Sequence, residues 1–319
     1  MPDLTESERQ FTSDCVAEFL SYANTDATEQ VECIYRSHAF PNSRLVLKVQ
    51  TKPATYALKI DTEAPDTGRL RDEFDLLTKL NIHFEDNPTT QVIRPVYLSD
   101  TNSFFVTEFI DRPTAVDLIY NSTDDDQVAQ VFRRAGSWLN DLHSRQLPVS
   151  YAFRPKWMTD SISDLLDAVP YEISDQSRRW VNIMFAEAAR LKGIEDIRVF
   201  SHGDFHGQNL IIGQGKTIGL DFTEAREKLA VYDIVDFLKA DIFRGGEASD
   251  VDRSGILKRN KDMFFRRYKH PINTEILDFC IRGRLLKDWF FLHQRRHDCS
   301  EFEEHKRERL GIRLRQVFG

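Results

Sequence analysis

The stretch His202-Gly203-Asp204-Phe205-His206-Gly207-Gln208-Asn209, followed by two short apolar runs and then Asp221, decides the reading of this chain. Glycines at 203 and 207 favour a loop over a strand, because they ease tight backbone turns. The apolar runs, Leu210 to Ile212 and Thr217 to Leu220, read as short strands joined by the tight turn Gly213-Gln214-Gly215-Lys216. Such a hairpin folds Asp221 back toward Asn209. Hard oxygen atoms from Asn209 and Asp221 suit magnesium bridging phosphate oxygens.

Transfer of a phosphoryl group from ATP asks little of a protein beyond positioning and charge neutralisation. It needs a carboxylate beside the attacking hydroxyl, oxygen ligands for magnesium, and a cation on the phosphates that stay behind. Asp204 and Asn209 have the Asp-x-x-x-x-Asn spacing of a kinase catalytic loop, with His202 two residues before the aspartate. The cation is expected in the first third of the chain, where Ala57-Leu58-Lys59-Ile60 places Lys59 inside an apolar strand. In the helix that follows, Leu70, Phe74 and Leu77 define a buried face. At about 100° per residue Glu73 falls within that face, while Asp72 and Asp75 point away. A carboxylate aimed into a core needs a cationic partner, and Lys59 is the obvious one.

The His-Gly-Asp…Asn…Asp arrangement resembles the aminoglycoside phosphotransferase family, with its choline, homoserine and methylthioribose kinase relatives, from Cys33 to Trp289. The resemblance implies an α+β, two-lobed, protein-kinase-like fold. Residues 1–109 would form a nucleotide-binding lobe, a small antiparallel sheet with one helix. Residues 110–319 would form a larger, mainly helical lobe for catalysis and acceptor binding. The implied reaction moves the γ-phosphoryl group of ATP, with Mg2+, to a hydroxyl of an aminoglycoside, choline or ethanolamine, homoserine or a sugar-like acceptor. Asp204 would be the catalytic base, Asn209 and Asp221 the metal ligands, and His202 and Asp236 supports for the loop. Lys59, held by Glu73, would contact the α- and β-phosphates. Backbone groups of Glu108 and Ile110 would pair with adenine. His206 either approaches the acceptor or lines the loop. The segment Arg36 to Ser43 contains no glycine, which tilts away from protein kinases, and Ser37 with neighbouring amides is the expected phosphate grip. Asp221-Phe222-Thr223 stands where protein kinases carry Asp-Phe-Gly.

Two rival readings belong to other classes. One is a catalytically silent, nucleotide-binding regulator of the same fold. The other is a metal-dependent hydrolase using His202, Asp204 and His206. That alternation would need an extended strand to aim all three side chains one way.

The remaining sequence sets boundaries. With 319 residues, 41% of them hydrophobic and 29% charged, the chain has enough apolar material for one large or two coupled domains. A net charge of -8 argues against a nucleic-acid partner and suits a neutral or cationic acceptor better than an anionic one. No apolar run long enough to span a bilayer occurs, so no membrane partner is expected. The start of the chain, polar and acidic at Asp3, Glu6 and Glu8, lacks a secretory pattern. Four scattered cysteines fit reduced thiols, and a cytoplasmic setting is expected.

Helices are expected at 6–22, from a cap at Asp66-Thr67 to 80, and at 128–143, 175–191, 234–243, 251–268 and 275–294. Strands are expected at 31–36, 44–49, 55–60, 92–98 and 104–109. Asp160, Asp164 and Asp167, with Trp157, Trp289 and Phe290, are candidate acceptor walls. The three aspartates read more simply as a solvated helix face, and the aromatics as core. The C-terminal arginines and lysines, interleaved with glutamates, read as a salt-bridged helix face.

Overall fold

The computed structural model describes residues 4–25, 28–37, 39–169 and 175–319. The chain begins α1 (Glu6–Tyr22), β1 (Thr28–Arg36), β2 (Arg44–Thr51), β3 (Thr55–Asp61), α2 (Ala64–Thr67), α3 (Arg69–His83), β4 (Thr90–Val92), β5 (Pro95–Leu98) and β6 (Phe104–Glu108). It continues with α4 (Ala115–Asn121), α5 (Asp125–His143), β7 (Val149–Ala152), α6 (Lys156–Asp167), α7 (Asp175–Leu191), β8 (Glu195–Ser201), β9 (Leu210–Ile212), β10 (Thr217–Gly219) and β11 (Arg226–Leu229). It closes with α8 (Ala230–Leu238), α9 (Lys258–Phe265), α10 (Thr274–Gln294) and α11 (Glu301–Phe318).

The described residues divide into two compact units, Met1–Arg112 with Gly213–Thr223, and Pro113–Ile212 with Glu224–Gly319. The boundary expected after residue 109 falls after Arg112 instead, and Asp221 belongs to the first unit. The reason is local pairing. β10 lies parallel to β4, the Ile93 amide donates to the Gly219 carbonyl, and the Phe222 amide donates to Glu73.

The first unit is built on a five-stranded sheet in the order β1-β2-β3-β6-β5, antiparallel throughout. Alternation along β3 sends Leu58 and Ile60 to one face, where they pack with Leu45, Leu47, Phe104, Val106 and Phe19 of α1. Lys59 therefore points to the opposite face, as does Phe105, its register partner on β6. Helix α3 covers that face with Leu70, Glu73, Leu77 and Leu80 at helical spacing. Gly68, at φ +69, separates α2 from α3, so Asp66-Thr67 closes a short helix and is not the cap of the long one. The run expected as one strand at 92–98 is two, β4 and β5, in different sheets. Pro95 lacks the amide that a continuous strand would need.

The second unit is mainly helical, but it also contains a three-stranded antiparallel sheet, β11-β8-β7, that periodicity did not reveal. Strand β8 ends at Ser201, so pairing delivers the chain directly into the His202 loop. Asp124 caps helix α5, its carboxylate accepting from the amides of Asp126 and Gln127. The helix expected over 251–268 shrinks to α9, because Asp252 captures the amides of Ser254 and Ile256 in a turn. Helix α8 ends at Leu238 and continues as a 3-10 helix, Lys239–Phe243. In α11, Glu304 pairs with Arg307, and Lys306 pairs with Asp288 of α10. No helix among the described residues is long and apolar enough to cross a membrane.

Candidate active site

In the first unit, the Lys59 ammonium lies 2.9 and 2.8 Å from the Glu73 carboxylate oxygens, 2.8 Å from Asp221 Oδ1 and 3.0 Å from Thr223 Oγ1. Glu73 is 2% exposed, and its oxygens also accept from the Phe222 amide and the Thr223 hydroxyl. Burial opposes the lysine's charge, but attraction to Glu73 and Asp221 outweighs it and holds the ammonium above its ordinary pKa. Two carboxylates therefore share one cation. Asp221 sits at φ +55, a left-handed backbone that L residues other than glycine seldom adopt. Its side chain is more exposed than that of Glu73, so it is the outward-facing member of the cluster.

At the end of β6 the Glu108 amide donates to the Arg94 carbonyl, and the Arg94 amide donates to Glu108 Oε1 at 3.0 Å. The Ile110 carbonyl accepts from the Arg112 amide at 2.9 Å. That leaves one acceptor, the Glu108 carbonyl, and one donor, the Ile110 amide, without a hydrogen bond among the described residues. Ser37 Oγ accepts from the Phe40 amide at 3.2 Å.

In the second unit, the loop after β8 carries Asp204, His206 and Asn209. Asn209 Nδ2 donates to the Asp204 carbonyl at 3.0 Å, which orients the amide and leaves Oδ1 as its acceptor. His206 Nε2 is 3.3 Å from both Asp204 Oδ2 and Asn209 Nδ2. The Asp204 carboxylate is half-exposed, whereas Asn209 is nearly buried. Gly203 has no room for a side chain, since a Cβ there would meet the Glu224 carbonyl oxygen at 2.0 Å.

Asp233 braces this loop, three residues before the Asp236 expected in that role. Its carboxylate accepts from the amides of His202 at 2.7 Å and Gly203 at 2.9 Å. His143 Nε2 reaches the same carboxylate at 3.1 Å, and His143 Nδ1 lies 2.8 Å from the Tyr268 hydroxyl. Asp236 instead lies near Lys239 and Arg284. The His202 ring is fully buried, with Nδ1 facing the Asp204 amide. Neither His143 nor Asp233 was foreseen as functional. Their one visible signal was polarity on otherwise apolar helix faces.

Burial holds His143 below its ordinary pKa against the pull of Asp233. Burial also works to raise Asp233, but its bonds from His143 and the loop leave it below the usual value. Both folded values are depressed, so the unfolded chain binds more protons and stability is lost as pH falls from about 6.5. Thermal unfolding between pH 7.5 and 5.5 should show a falling midpoint, and His143→Gln should flatten that fall. A variant falling as steeply as the parent would remove His143 from this role.

Among the acceptor candidates, Asp160, Asp164 and Asp167 are exposed on α6, and Asp160 pairs with Lys156. Phe290 is fully buried, and Trp289 packs against Trp180 and His293. Trp157 donates to the Tyr232 hydroxyl and lies under Arg284 and Lys287. Thr223 was missed as a functional residue, although its departure from glycine was the available signal.

Residues 38–259, which include Lys59, Glu73, Asp204, Asn209 and Asp221, match the model of the phosphotransferase enzyme family. The chain belongs to that family. The phosphotransferase also shares its kinase-like α+β fold with solved structures. A spectinomycin phosphotransferase in complex with ADP and spectinomycin is 13% identical, with a TM-score of 0.60 over 96% of this chain and 94% of that one. An amicoumacin kinase in complex with AMP-PNP and Ca2+ is 16% identical, with a TM-score of 0.55 over 97% and 96%. The macrolide 2'-phosphotransferase of Brachybacterium faecium is 13% identical, with a TM-score of 0.57 over 93% and 98%. No curated protein matches the phosphotransferase by sequence.

Proposed function

We propose that this small-molecule phosphotransferase moves the γ-phosphoryl group of ATP, with magnesium, to a hydroxyl of its acceptor. The observation that carries the reading is the buried Glu73, which fixes Lys59 beside Asp221. Lys59 supplies the fixed cation for the α- and β-phosphates. The Glu108 carbonyl and Ile110 amide offer the acceptor and donor that adenine pairs with, and Ser37 with nearby amides lies ready for phosphate oxygens. Asp204 orients the acceptor hydroxyl and takes its proton. The solved likenesses in complex with ADP and AMP-PNP support the nucleotide part of the reading.

The donor set fits magnesium. Asn209 Oδ1 and the Asp221 carboxylate are hard oxygens of the kind magnesium takes. Among the described residues no group of three or more His, Cys, Asp and Glu side chains is arranged to hold a metal ion by itself. Magnesium on a nucleotide needs only one or two protein ligands beside phosphate oxygens. When bound, it would neutralise charge on the phosphates. The hydrolase reading loses ground because the His202 ring is turned into the core and toward the backbone of its own loop. The silent-regulator reading lacks a missing group to rest on.

The test is ADP release across aminoglycosides, choline, ethanolamine, homoserine and sugars, with the phosphorylated product confirmed by mass. Acceptor-dependent ADP release is expected for at least one class. Tight nucleotide binding with no transfer to any of them would favour the regulator.

A further inference from the structure

The second unit contains two cavities that touch the catalytic loop, and they differ in charge. One, of about 380 Å³, is lined in part by His206, Gly207 and Gln208. Its charges are largely self-balanced, with Lys306 against Asp288 and Lys239 near Asp236. The other, of about 420 Å³, reaches the loop at Gly203 and is lined by Arg154, Arg198, Arg226, Lys228 and Arg284. Only two carboxylates, Glu227 and Asp236, line it with them. A chain of net charge -8 thus gathers five cations around one hollow.

Their own partners leave these cations underused. Glu227 pairs with Arg198 at 3.2 Å, and Asp236 lies 3.5 Å from Arg284. Arg198 Nε is buried without a hydrogen bond. Arg154 pairs with no carboxylate among the described residues, and Arg226 approaches Glu224 only at 4.0 Å. Lys228 donates to the Gly203 carbonyl at 3.0 Å, next to Asp204 in sequence. Tyr151, Trp157 and Tyr232 give the rest of the wall a largely aromatic character. Cations crowded this way repel one another unless an anion joins them, and arginine forks match the paired oxygens of carboxylates and phosphates. The volume lies in the range of small-ligand sites.

We propose that this cavity seats an anionic group of the acceptor, a carboxylate or a phosphate ester, so that the preferred acceptors are hydroxylated small anions. The proposal rests on the phosphotransferase reading given above. It reverses the expectation drawn from net charge, because a bound group feels the few nearest charges far more than a distant, screened total. The aspartates of α6, the acidic candidates for an amine-bearing acceptor, do not line this cavity.

Matched acceptor pairs test it: hydroxy acids against their methyl esters, and sugar phosphates against the free sugars. ADP release is expected with the charged member of a pair and not with its neutral partner. Whether the acid or the phosphate pair responds identifies the anion. In Arg154→Gln/Arg226→Gln, whose side chains are exposed, KM for the charged acceptor should rise about 10- to 100-fold with kcat changed little. Turnover preferring neutral or amine-bearing acceptors, or an unchanged KM in the double variant, would overturn the proposal. Calorimetric titration with inorganic phosphate supplies a readout that needs no turnover. Saturable binding weakened in the double variant supports the anion site, and binding of unchanged strength in the double variant overturns it. A separate titration with ADP keeps the two readings apart, since lost nucleotide binding strikes the phosphotransferase reading and not the cavity.

Discussion

Asp204→Asn is expected to lower turnover by about 10²- to 10⁴-fold, the usual contribution of a positioned general base. Nucleotide affinity and thermal stability should stay close to those of the parent. The hydrogen bonds that shape the loop use the backbone carbonyl of Asp204, which accepts from Asn209 Nδ2 and the His206 amide. The side chain itself is half-exposed, with Oδ2 lying 3.3 Å from His206 Nε2. An amide of the same shape can keep that contact, yet it takes no proton from a hydroxyl. Steady-state ADP release, a fluorescent-nucleotide titration and a melting curve separate the three quantities. Turnover within a few fold of the parent would show that Asp204 is not the base.

Asp221→Ala should abolish the magnesium-dependent part of nucleotide binding, with turnover falling below detection. Lys59 would remain paired with Glu73 at 2.8 Å, so the substitution does not strand a buried cation. The fold should therefore survive, and the loss can be assigned to metal and phosphate contacts. The left-handed backbone at this position complicates alanine, which tolerates φ +55 less well than aspartate or asparagine. Asp221→Asn provides the control, since it suits the backbone and keeps one oxygen but carries no charge. Both variants should lose the magnesium response, while the asparagine variant melts nearer the parent. Calorimetry of ADP with and without magnesium reads this directly. An intact magnesium response in both would leave Asp221 as a structural partner of Lys59 alone.

Much of the candidate site was legible before any coordinates. The partnership of Lys59 and Glu73 followed from two periodicities and one cost: alternation along β3, 100° steps along α3, and the penalty for an unpaired buried carboxylate. Helix α7 begins and ends at the residues expected, and α1 does likewise, with a capping box at Thr5 fixing the start of α1. The strand at 92–98 failed because an apolar run does not say which neighbour each half will pair with. Strands β8 and β11 escaped notice because charged residues interrupt them, and β7 because it is only four residues long; their partners also lie far apart in sequence.

The sequence by itself determined the chemical inventory and its local order: a loop with Asp204 and Asn209, a strand lysine, a helix glutamate, and an aspartate after the apolar runs. Tertiary structure alone decided that Asp233, not Asp236, holds the loop amides, that Thr223 joins Lys59, and that five dispersed cations surround one cavity. Periodicity reports which side of an element a residue faces, and it is written in neighbouring positions. Which groups meet there depends on contacts between residues that can lie more than a hundred positions apart, and no local pattern encodes them.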